Sequence, residues 1–502
     1  MVNRKKSAGK LPDNHSLPVF SVDDCLNSVP AAGWRNGTSL NNQGTNGNYW
    51  SSTPHESNSN NAYNLNFNSG NHNTNWNNRN NGQSVRPVSE LTRDAVIEEH
   101  RHFSISREKL LADLYQAYKD ARRNKRGRLY QLEFEYNLEE NLVKLCDELL
   151  GGAYKPLPSS CFIIHEPKMR EVFAAHFRDR IVHHLFYNYT HILFERTFIY
   201  DSYSCIKNRG THFGIKRLEH HIRSVSNGYS SPCYVLKIDI KGYFMSIDRK
   251  RLFNICKETL DRMKNRGSDR PGKVWGDVLD CDFIYYLLDK MIFFDPVENC
   301  VVRGECSDWN SLPAEKSLFG AAEGRGLPIG NLSSQLFSNI YLNRLDQFAK
   351  RVLGCRHYGR YVDDAYIVSN DSSHLKSLVV QIKEFLDLEL GLSLSNNKVR
   401  VYDAYHGVEF LGAFIKPFRS YVSKSSLTRI ERNVRACHRM PSAKLQASLN
   451  SCLGVLSHYD SFRLRRVMFG LNDELLARGR FSADWLIFKV NGLHLSYSSG
   501  IM

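Results

Sequence analysis

Residues 361–364, Tyr-Val-Asp-Asp, constrain the fold of this chain more than any other segment, because they set two adjacent carboxylates among apolar residues. Buried carboxylates destabilise a fold unless a cation neutralises them. In a continuous strand the side chains of Asp363 and Asp364 would point to opposite faces, whereas at a hairpin tip both can converge on one point. The segment RYVDDAYIVS therefore predicts a strand, a tight turn and a second strand, with a cation bound at the turn.

A third carboxylate, Asp239, stands near the end of the apolar segment YVLKIDI, which predicts a buried strand. Carboxylates from two neighbouring strands would offer the oxygen ligands that Mg²⁺ prefers. Two such ions about 4 Å apart can bind the attacking and leaving oxygens of a phosphoryl transfer. Together the two segments predict a phosphoryl-transfer site built on Asp239, Asp363 and Asp364.

Helical and strand-like segments alternate through the middle of the chain. DRIVHHLFYNYTHILFERTF and SSQLFSNIYLNRLDQFAKRVL predict long helices, and VEFLGAFIKP predicts a strand pair. LTRDAVIEEHRHF (91–103) and REKLLADLYQAYKDARRNKR predict amphipathic helices, and the last 80 residues are predicted to be mainly helical. This layout favours an α+β fold, an antiparallel sheet with helices on one face.

The N-terminal region differs from the rest in composition. Eighteen asparagines lie between Gly33 and Val88, together with many Ser and Gly and almost no aliphatic residues. Such a stretch cannot bury a core by itself, although aromatic residues such as Trp50 and Trp76 recur in it. We therefore divide the chain into an Asn-rich leader over 1–87, a folded region over 88–418 and a basic, helical region over 419–502.

The formal charge of +15 indicates an acidic partner, and over half of the excess lies near the C-terminus. Residues 416–502 hold 14 Lys and Arg against 5 Asp and Glu. Arg429, Arg432, Arg435 and Arg439 recur every three or four residues, so that on one helix they would form a basic stripe suited to a phosphate backbone. A solvated helix face is the alternative interpretation of this spacing.

Other patterns argue against several classes of protein. The twelve cysteines include no C-x-x-C pair, which disfavours a zinc ribbon or a disulfide framework. No apolar run approaches the roughly 18–20 residues of a membrane span, and no signal peptide is indicated. We expect a cytoplasmic protein without membrane contact. The pairs at 183–184 and 220–221, both His-His, are interpreted as helix-surface or RNA-facing residues.

From about Lys168 to Pro417 the sequence resembles the fingers and palm of a bacterial reverse transcriptase, through Asp239, the Tyr-Val-Asp-Asp segment and the loop GLPIGNLSSQ (326–335). The resemblance implies a right-hand polymerase with fingers and palm over 88–418 and a thumb over 419–502. It implies RNA-directed DNA synthesis from dNTPs on a template RNA, with a cDNA/RNA heteroduplex as product. It also implies two Mg²⁺ ions, with Mn²⁺ as an alternative.

The same resemblance assigns catalytic roles. Asp239 and Asp363 would bridge both metal ions, and Asp364 would assist them. The carbonyl of Ile240 would complete the shell of the nucleotide-side ion. Lys398 matches the lysine that the family places near the pyrophosphate leaving group.

Further residues are assigned to the incoming nucleotide. Lys168 and Arg170 resemble the cations that hold its triphosphate, and Phe244 matches the bulky gate that rejects a ribose 2′-OH. The segment 408–415 resembles the primer-grip hairpin. The loop that contacts nucleotide and template contributes Ile329, Gly330 and Gln335.

Ile329 departs from the Gln-Gly that related enzymes carry in this loop. The stretch 308–348 closely resembles reverse transcriptases of diversity-generating retroelements, whose loop reads I/L-G-N-x-x-S-Q. Those enzymes copy a template-repeat RNA with errors at adenines, and the mutated cDNA replaces a segment of a target gene. An accessory variability protein binds them. Loss of the Gln amide removes a polar contact beside the nascent base pair and would loosen base selection.

The Asn-rich leader points to the same subgroup. GNYWSSTP, AYNLNFNSGN and GQSVRPV resemble the diversified ends of lectin-like or formylglycine-generating-enzyme-like target proteins, which vary at adenine-rich codons such as those of asparagine. We interpret residues 33–87 as a template repeat read in frame as protein. A flexible low-complexity leader is the alternative.

Two rival functions stay open. The first is a group II intron-like, retron or phage-defence reverse transcriptase, although nothing after the thumb resembles a maturase extension and the loop and the long segment 264–325 disfavour a retron. The second is a catalytically dead nucleic-acid-binding scaffold. Loss of activity on replacing Asp363 would separate the second rival from an enzyme.

Overall fold

The computed structural model of the chain describes the strands between residues 34 and 83 and the ranges 103–123, 127–165 and 168–491. The chain divides into two compact units, Met1–Val96 and Ile97–Met502. Most of the helix predicted over 91–103 lies outside the described residues. None of the helices in the described ranges combines the length and the apolar character that crossing a membrane requires.

The Asn-rich leader contains β-strands, which its composition did not lead us to predict because asparagine is depleted in strands. Two antiparallel sheets are described, with the strand orders β2-β1-β6 and β3-β4-β5. The strands are β1 Trp34–Asn36, β2 Ser39–Asn41, β3 Asn46–Pro54, β4 Asn61–Asn68, β5 Asn71–Asn78 and β6 Gly82–Gln83.

The second unit mixes helices and sheets, as the predicted α+β class requires. Its strands are β7 Ser159–Ile164, β8 Arg170–Ala174, β9 Tyr234–Asp239, β10 Cys300–Val302, β11 Tyr358–Tyr361, β12 Asp364–Ser369, β13 Arg400–Asp403, β14 Val408–Phe410, β15 Ala413–Lys416, β16 Arg419–Val422, β17 Gly479–Phe481 and β18 Phe488–Val490.

The α-helices of this unit include both long helices and the amphipathic helix that begins at Arg107, all predicted from apolar periodicity. They are α1 Arg107–Arg122, α2 Leu129–Tyr136, α3 Leu138–Leu150, α4 Phe177–Glu195, α5 Thr211–Val225, α6 Tyr243–Ser246, α7 Arg249–Lys264, α8 Trp275–Val278, α9 Cys281–Ile292, α10 Cys306–Asn310, α11 Leu332–Gln347, α12 Ser372–Phe385, α13 Lys424–Ala436, α14 Ser442–Leu456, α15 Phe462–Gly470 and α16 Asp473–Arg478. Short π-helical turns follow α11 and α12, over Phe348–Val352 and Leu386–Leu390.

A four-stranded antiparallel sheet of order β11-β12-β9-β13 forms the centre of this unit. A second sheet has the order β10-β7-β8, in which β10, from the long segment 264–325, runs parallel to β7. The predicted strand pair over 408–417 is present as β14 and β15. The third strand of that sheet, β16, opens the region that the sequence analysis assigned to helices.

The central sheet is covered on both faces, which contradicts the predicted packing of helices on one face. Leu236 and Ile238 of β9 contribute to the larger core, together with α4, α7, α11 and α12. Val235 and Tyr366 contribute to a second core made with α5 and the β14–β16 sheet. The physical reason is that β9 and β12 carry apolar residues at successive positions, so that each strand can bury both of its faces.

The predicted basic stripe is interrupted. Arg429, Arg432 and Arg435 lie on α13, but that helix ends at Ala436 and Arg439 falls in a short 3-10 turn. The following residue, Met440, is extended, as expected before a proline. The four arginines therefore do not share one continuous helix, as their spacing had suggested.

A polar network is buried between α5 and the central sheet. The hydroxyls of Tyr203 and Tyr366 lie 2.8 Å apart, and the Tyr366 hydroxyl lies 3.1 Å from His221 Nδ1. Arg217 donates to Asp201 at 2.7 Å and lies 3.1 Å from His221 Nε2. His221 is only 3% exposed, and burial lowers its pKa to about 3. The interpretation of this histidine as a surface residue was therefore wrong.

We expect His221→Gln to flatten the dependence of stability on pH in the acid range. The folded chain keeps His221 neutral down to about pH 3, whereas the unfolded chain protonates it near pH 6.5. Below about pH 6.5 the unfolded chain therefore binds one more proton. As a result the free energy of unfolding falls with falling pH, by about 1.4 kcal/mol per pH unit from this residue.

Urea unfolding between about pH 4.5 and 7 measures this effect. His374, which is exposed on α12, supplies the matched control, and His374→Gln should keep the wild-type slope. Equal slopes for His221→Gln and the wild-type chain would contradict the assignment.

Candidate active site

The predicted strand, turn and strand are present at residues 358–369. β11 ends at Tyr361 and β12 begins at Asp364, and these two residues are directly paired. Val362 and Asp363 therefore form a two-residue turn. Asp364 also lies directly opposite Asp239 in the pairing of β12 with β9. The sheet register thus brings together the two predicted strand-borne carboxylates, with the third in the adjoining turn.

Val362 adopts a backbone conformation that is rare for a β-branched residue, with φ at +54°. Conformations of this kind cost about 1–3 kcal/mol and persist only where the surroundings fix them. The Val362 N–H donates to the Ser204 hydroxyl at 3.2 Å, and Arg360 Nη1 donates to the Val362 carbonyl at 2.9 Å. These two hydrogen bonds fix the turn that carries Asp363.

Arg360 forms a fully buried ion pair with Asp346 of α11, and neither side chain is exposed. It donates to Asp346 through Nε at 2.7 Å and through Nη2 at 2.6 Å, a bidentate arrangement. Ser204 is held in turn, because its hydroxyl donates to Asn339 Oδ1 at 2.8 Å. None of these residues was predicted from the sequence as part of the site. An arginine inside an apolar strand does indicate a buried acid, but sequence gives no means of choosing which one.

Two lysines pair with the facing carboxylates. Lys398 Nζ lies 2.9 Å from Asp239 Oδ2, and this hydrogen bond raises the pKa of the lysine. Lys237 Nζ lies 3.5 Å from Asp364 Oδ1. Lys237 is two residues before Asp239 on β9, so that both side chains share a face of the sheet. Lys398 was among the predicted site residues, whereas Lys237 was missed because it appeared to be one polar position in a buried strand.

Mutual repulsion and burial act on the acidic pair of the turn. Burial raises the pKa of Asp363, and the charge of Asp239 raises it further, against the opposing effect of Arg170 and Lys398. Burial also raises the pKa of Asp364, to about 6, although Lys237 counteracts this rise. Positive charge close to Asp363 and Asp364 therefore favours their ionised forms.

An oxygen-only donor set that needs positive charge fits a divalent cation in its chemistry. Across the described ranges, however, no three His, Cys, Asp or Glu side chains are arranged to hold a metal ion. Asp239, Asp363 and Asp364 nevertheless lie close enough for their charges to act on one another. Lys398 and Lys237 contact Asp239 and Asp364 and supply neutralising charge to them.

The loop GLPIGNLSSQ packs between β8 and the segment after Asp239. The Leu327 N–H donates to the carbonyl of Phe244 at 2.8 Å, and the Phe173 N–H of β8 donates to the carbonyl of Ile329 at 2.8 Å. Gly330 has φ at +130°, and a Cβ there would lie 2.8 Å from Val172 and 2.9 Å from the Phe173 carbonyl. Glycine is therefore required at 330, and the loop joins Phe244 to the strand that begins at Arg170.

The remaining predicted residues lie at different distances from the carboxylates. Arg170 is close enough to oppose the raised pKa of Asp363, whereas Lys168 is exposed in the segment before β8. Gln335 lies on α11, where its Oε1 accepts from the Cys205 thiol at 3.3 Å. The backbone at Ile240 bridges to Leu394, outside the central sheet.

Residues 165–415, half of the chain, match the family model described as reverse transcriptase (RNA-dependent DNA polymerase). The chain belongs to this family. The match identifies it as an RNA-directed DNA polymerase and covers all three carboxylates, the turn and Lys398. Residues 21–88 match a second model, described as a domain of unknown function (DUF8237).

Individual relatives are distant from this reverse transcriptase. It is 23% identical over 312 residues to Protein YkfC of Escherichia coli strain K12, across 55% of this chain and 71% of that protein.

Similar solved structures include an apo telomerase from Candida tropicalis truncated from its C-terminal domain, with a TM-score of 0.37, 12% identity, and coverage of 53% of this chain and 55% of that one. A telomerase from Candida albicans in complex with a telomeric RNA fragment has a TM-score of 0.38 and 11% identity, and the match covers 64% of this chain and 57% of that one. The chain thus spans about half the length of these structures.

We expect Ser204→Ala to lower kcat for primer extension by about tenfold, which corresponds to about 1.4 kcal/mol. The variant leaves the Val362 N–H without its acceptor, so that the turn relaxes and Asp363 moves. Ser202→Ala is the matched control, because Ser202 is equally buried and its hydroxyl accepts from Arg360 at 3.4 Å, whereas in the described chain it forms no hydrogen bond with Val362 or Asp363.

Steady-state primer extension and thermal unfolding of both variants check this prediction. The two should lose similar stability, and only Ser204→Ala should lose kcat. An equal loss of kcat in both variants would show that the turn does not depend on Ser204.

Proposed function

We propose that this reverse transcriptase copies a template RNA with Asp239, Asp363 and Asp364 as its catalytic carboxylates. The observation that carries the proposal is the cross-strand pairing of Asp239 with Asp364 beside the fixed turn of Asp363. In this proposal the central sheet is the palm and residues from 168 to the loop at 326–335 include the fingers. Residues 419–502 are the thumb, with Arg429, Arg432, Arg435 and Arg439 toward the nucleic acid.

The carboxylates and the Ile240 carbonyl would hold two Mg²⁺ ions, with Mn²⁺ as an alternative. When bound, such ions stabilise the attacking and leaving oxygens of a phosphoryl transfer. Lys398 and Lys237, which pair with Asp239 and Asp364, supply positive charge at this site. Lys398 carries a proton on Nζ at the edge of this group, where it can meet the negative charge of the leaving pyrophosphate.

The nucleotide would lie between β8 and the loop that packs on it. Arg170 at the start of β8 and Lys168 just before it supply cations for the triphosphate. Phe244 is half-buried next to the loop, where its ring can exclude a ribose 2′-OH. Ile329, Gly330 and Gln335 would contact the nucleotide and the template.

We further propose that the enzyme serves a diversity-generating retroelement and copies its template repeat with errors at adenines. The support is the Ile-Gly-Asn form of the loop. The Ile329 carbonyl accepts from the Phe173 N–H of β8, and Asn331 Oδ1 accepts from the N–H of Ala175, the residue after β8. Residue 329 therefore presents an apolar side chain where related enzymes offer an amide. An accessory variability protein of the element is the expected partner.

Residues 33–87 would be the translated template repeat. Their asparagine content and their resemblance to diversified target proteins support this. The strands at 34–83 are compatible with a translated repeat and with a protein leader alike. An intron-like, retron or phage-defence enzyme would share the same carboxylates but lacks a reason for this leader. A cytoplasmic location stays a prediction from the sequence.

We expect Asp363→Asn to reduce cDNA synthesis by about 1,000-fold, because loss of one metal-ligand charge removes about 4 kcal/mol of transition-state stabilisation. The template is RNA spanning the codons for residues 33–87, supplied with Mg²⁺, dNTPs and the accessory protein if a neighbouring gene encodes one. Asp371→Asn is the isosteric control, since Asp371 caps α12 and asparagine caps equally well.

Sequencing of the cDNA then separates the alternatives. Product that depends on Asp363 and is mutated mainly at template adenines is the expected result. A cDNA copied accurately would instead favour an intron-like, retron or phage-defence reverse transcriptase. No product from either the wild-type chain or Asp363→Asn would instead favour a catalytically dead scaffold or a missing partner.

We expect Ile329→Gln to lower the error frequency at adenines, because the amide restores a hydrogen-bonding group beside the nascent base pair. Ile329→Leu is the matched control, since it keeps an apolar side chain of similar volume and should keep the error frequency. The measurement is the misincorporation frequency per template adenine at matched product yield. Equal error frequencies in the two variants would show that the side chain at residue 329 does not determine fidelity.

A further inference from the structure

A cavity of about 630 Å³ lies where three helices of the second unit end. It is lined by the residues that follow α4, by the last turns of α7 and α11, and by the π-helical turn after α11. None of the proposed catalytic or nucleotide-binding residues lines it. On α11 the cavity uses Asn343, Arg344 and Gln347, whereas Asn339 and Asp346 of the same helix contact Arg360. The cavity and the catalytic turn therefore use different faces of α11.

The cavity is strongly basic. Five arginines line it, and no aspartate or glutamate is among its lining residues. Two amide side chains and two threonines add further hydrogen-bonding groups. The arginines are Arg196, Arg262, Arg266, Arg344 and Arg351.

The fold accounts for only part of this charge. Arg196, Arg262 and Arg344 stand at helix C-termini, where a cation complements the helix dipole. Arg344 is paired with Glu258, and Arg196 donates to the Gly267 carbonyl and lies over the Trp275 ring.

Three arginines of the cavity have no such partner. Arg262, Arg266 and Arg351 are exposed, and across the described ranges none of them forms an ion pair. Arg266 and Arg351 also lie beyond the α-helices. Guanidinium groups that face one cavity without acids repel one another, so that an anion would stabilise the arrangement.

The basic surface continues beyond the cavity. The loop after α7 carries Arg270 and Lys273, both exposed, next to Arg266 and Gly267 at the cavity wall. The cations therefore continue past the cavity wall, around the exposed Asp269 of the same loop. Planar guanidinium forks match phosphate oxygens in bidentate geometry. The surface therefore fits an extended chain of phosphates better than a small anion.

We propose that this cavity binds the phosphate backbone of the template RNA at a place separate from the catalytic turn. The proposal rests on the proposed RNA-copying function, which supplies an RNA as the polyanion. In this proposal the bound segment is RNA outside the primer-template duplex, and the cavity shares no residue with the carboxylate site. The site would raise affinity for long RNA without taking part in the chemistry.

The test is Arg266→Gln/Arg351→Gln, which removes one unpaired arginine from each side of the cavity. Lys376→Gln/Lys383→Gln is the matched control, because it removes the same charge from the exposed face of α12. Binding of a long single-stranded RNA is measured across a salt series by fluorescence anisotropy, and extension of a short primer-template is measured in parallel. Thermal unfolding confirms that both variants are folded.

We expect the cavity variant to bind RNA about tenfold more weakly and to lose about 2 from the slope of log K against log salt, one per lost phosphate contact. Short primer-template extension should be unchanged, and the control should keep both the affinity and the slope. Equal RNA binding by the two double variants would overturn the proposal.

Competitors identify the ligand. Binding of single-stranded DNA should fall by the same factor, because guanidinium contacts to phosphate do not read the ribose 2′-OH. A loss confined to poly-glutamate would instead indicate an acidic protein partner. RNA binding through the cavity by a wild-type protein that extends no primer would contradict the proposed polymerase function and leave the cavity assignment standing.

Discussion

The buried ion pair between Arg360 and Asp346 is the interaction on which the active-site region depends. Neither side chain is exposed, so that removal of either partner would leave an uncompensated charge at a cost of about 3–5 kcal/mol. The pair joins α11 to β11, and the same guanidinium holds the Val362 carbonyl. The buried Arg360 side chain thus couples the packing of α11 to the position of the turn. The strained backbone at Val362 is tolerated because its N–H and its carbonyl are both hydrogen-bonded.

The charge balance around the carboxylates follows from the sheet. Asp239 and Asp364 share a face with Lys237 through the alternation of β9 and the register with β12, and Lys398 reaches them from the segment before β13. The two lysines supply positive charge to these acids in a partly buried site. A site of this kind can exchange one neutralising cation for another without unfolding, which suits a proposed cycle of nucleotide binding and pyrophosphate release.

Local patterns in the sequence predicted the elements well and their partners poorly. Apolar periodicity indicated α4, α11, β9 and the turn before β12, because each pattern is complete within about twenty residues. The contact of Lys398 with Asp239 joins residues 159 positions apart, and no local pattern reports such a pairing. The packing of α5 and the β14–β16 sheet on the second face of the central sheet was also not predicted. A strand of continuous apolar residues does not by itself show which distant elements cover its two faces. Asparagine content concealed the strands at 34–83.

The long segment between α7 and α11 contributes the strand β10 to a sheet. It pairs in parallel with β7 along the side that β8 leaves open. An open strand edge is a template for pairing with another chain, and proteins commonly close it with a very short strand. The segment therefore shields a sheet from intermolecular association. A shortened form of the enzyme lacking residues 300–302 would keep its catalytic residues but would leave the edge of β7 open to pairing with another chain.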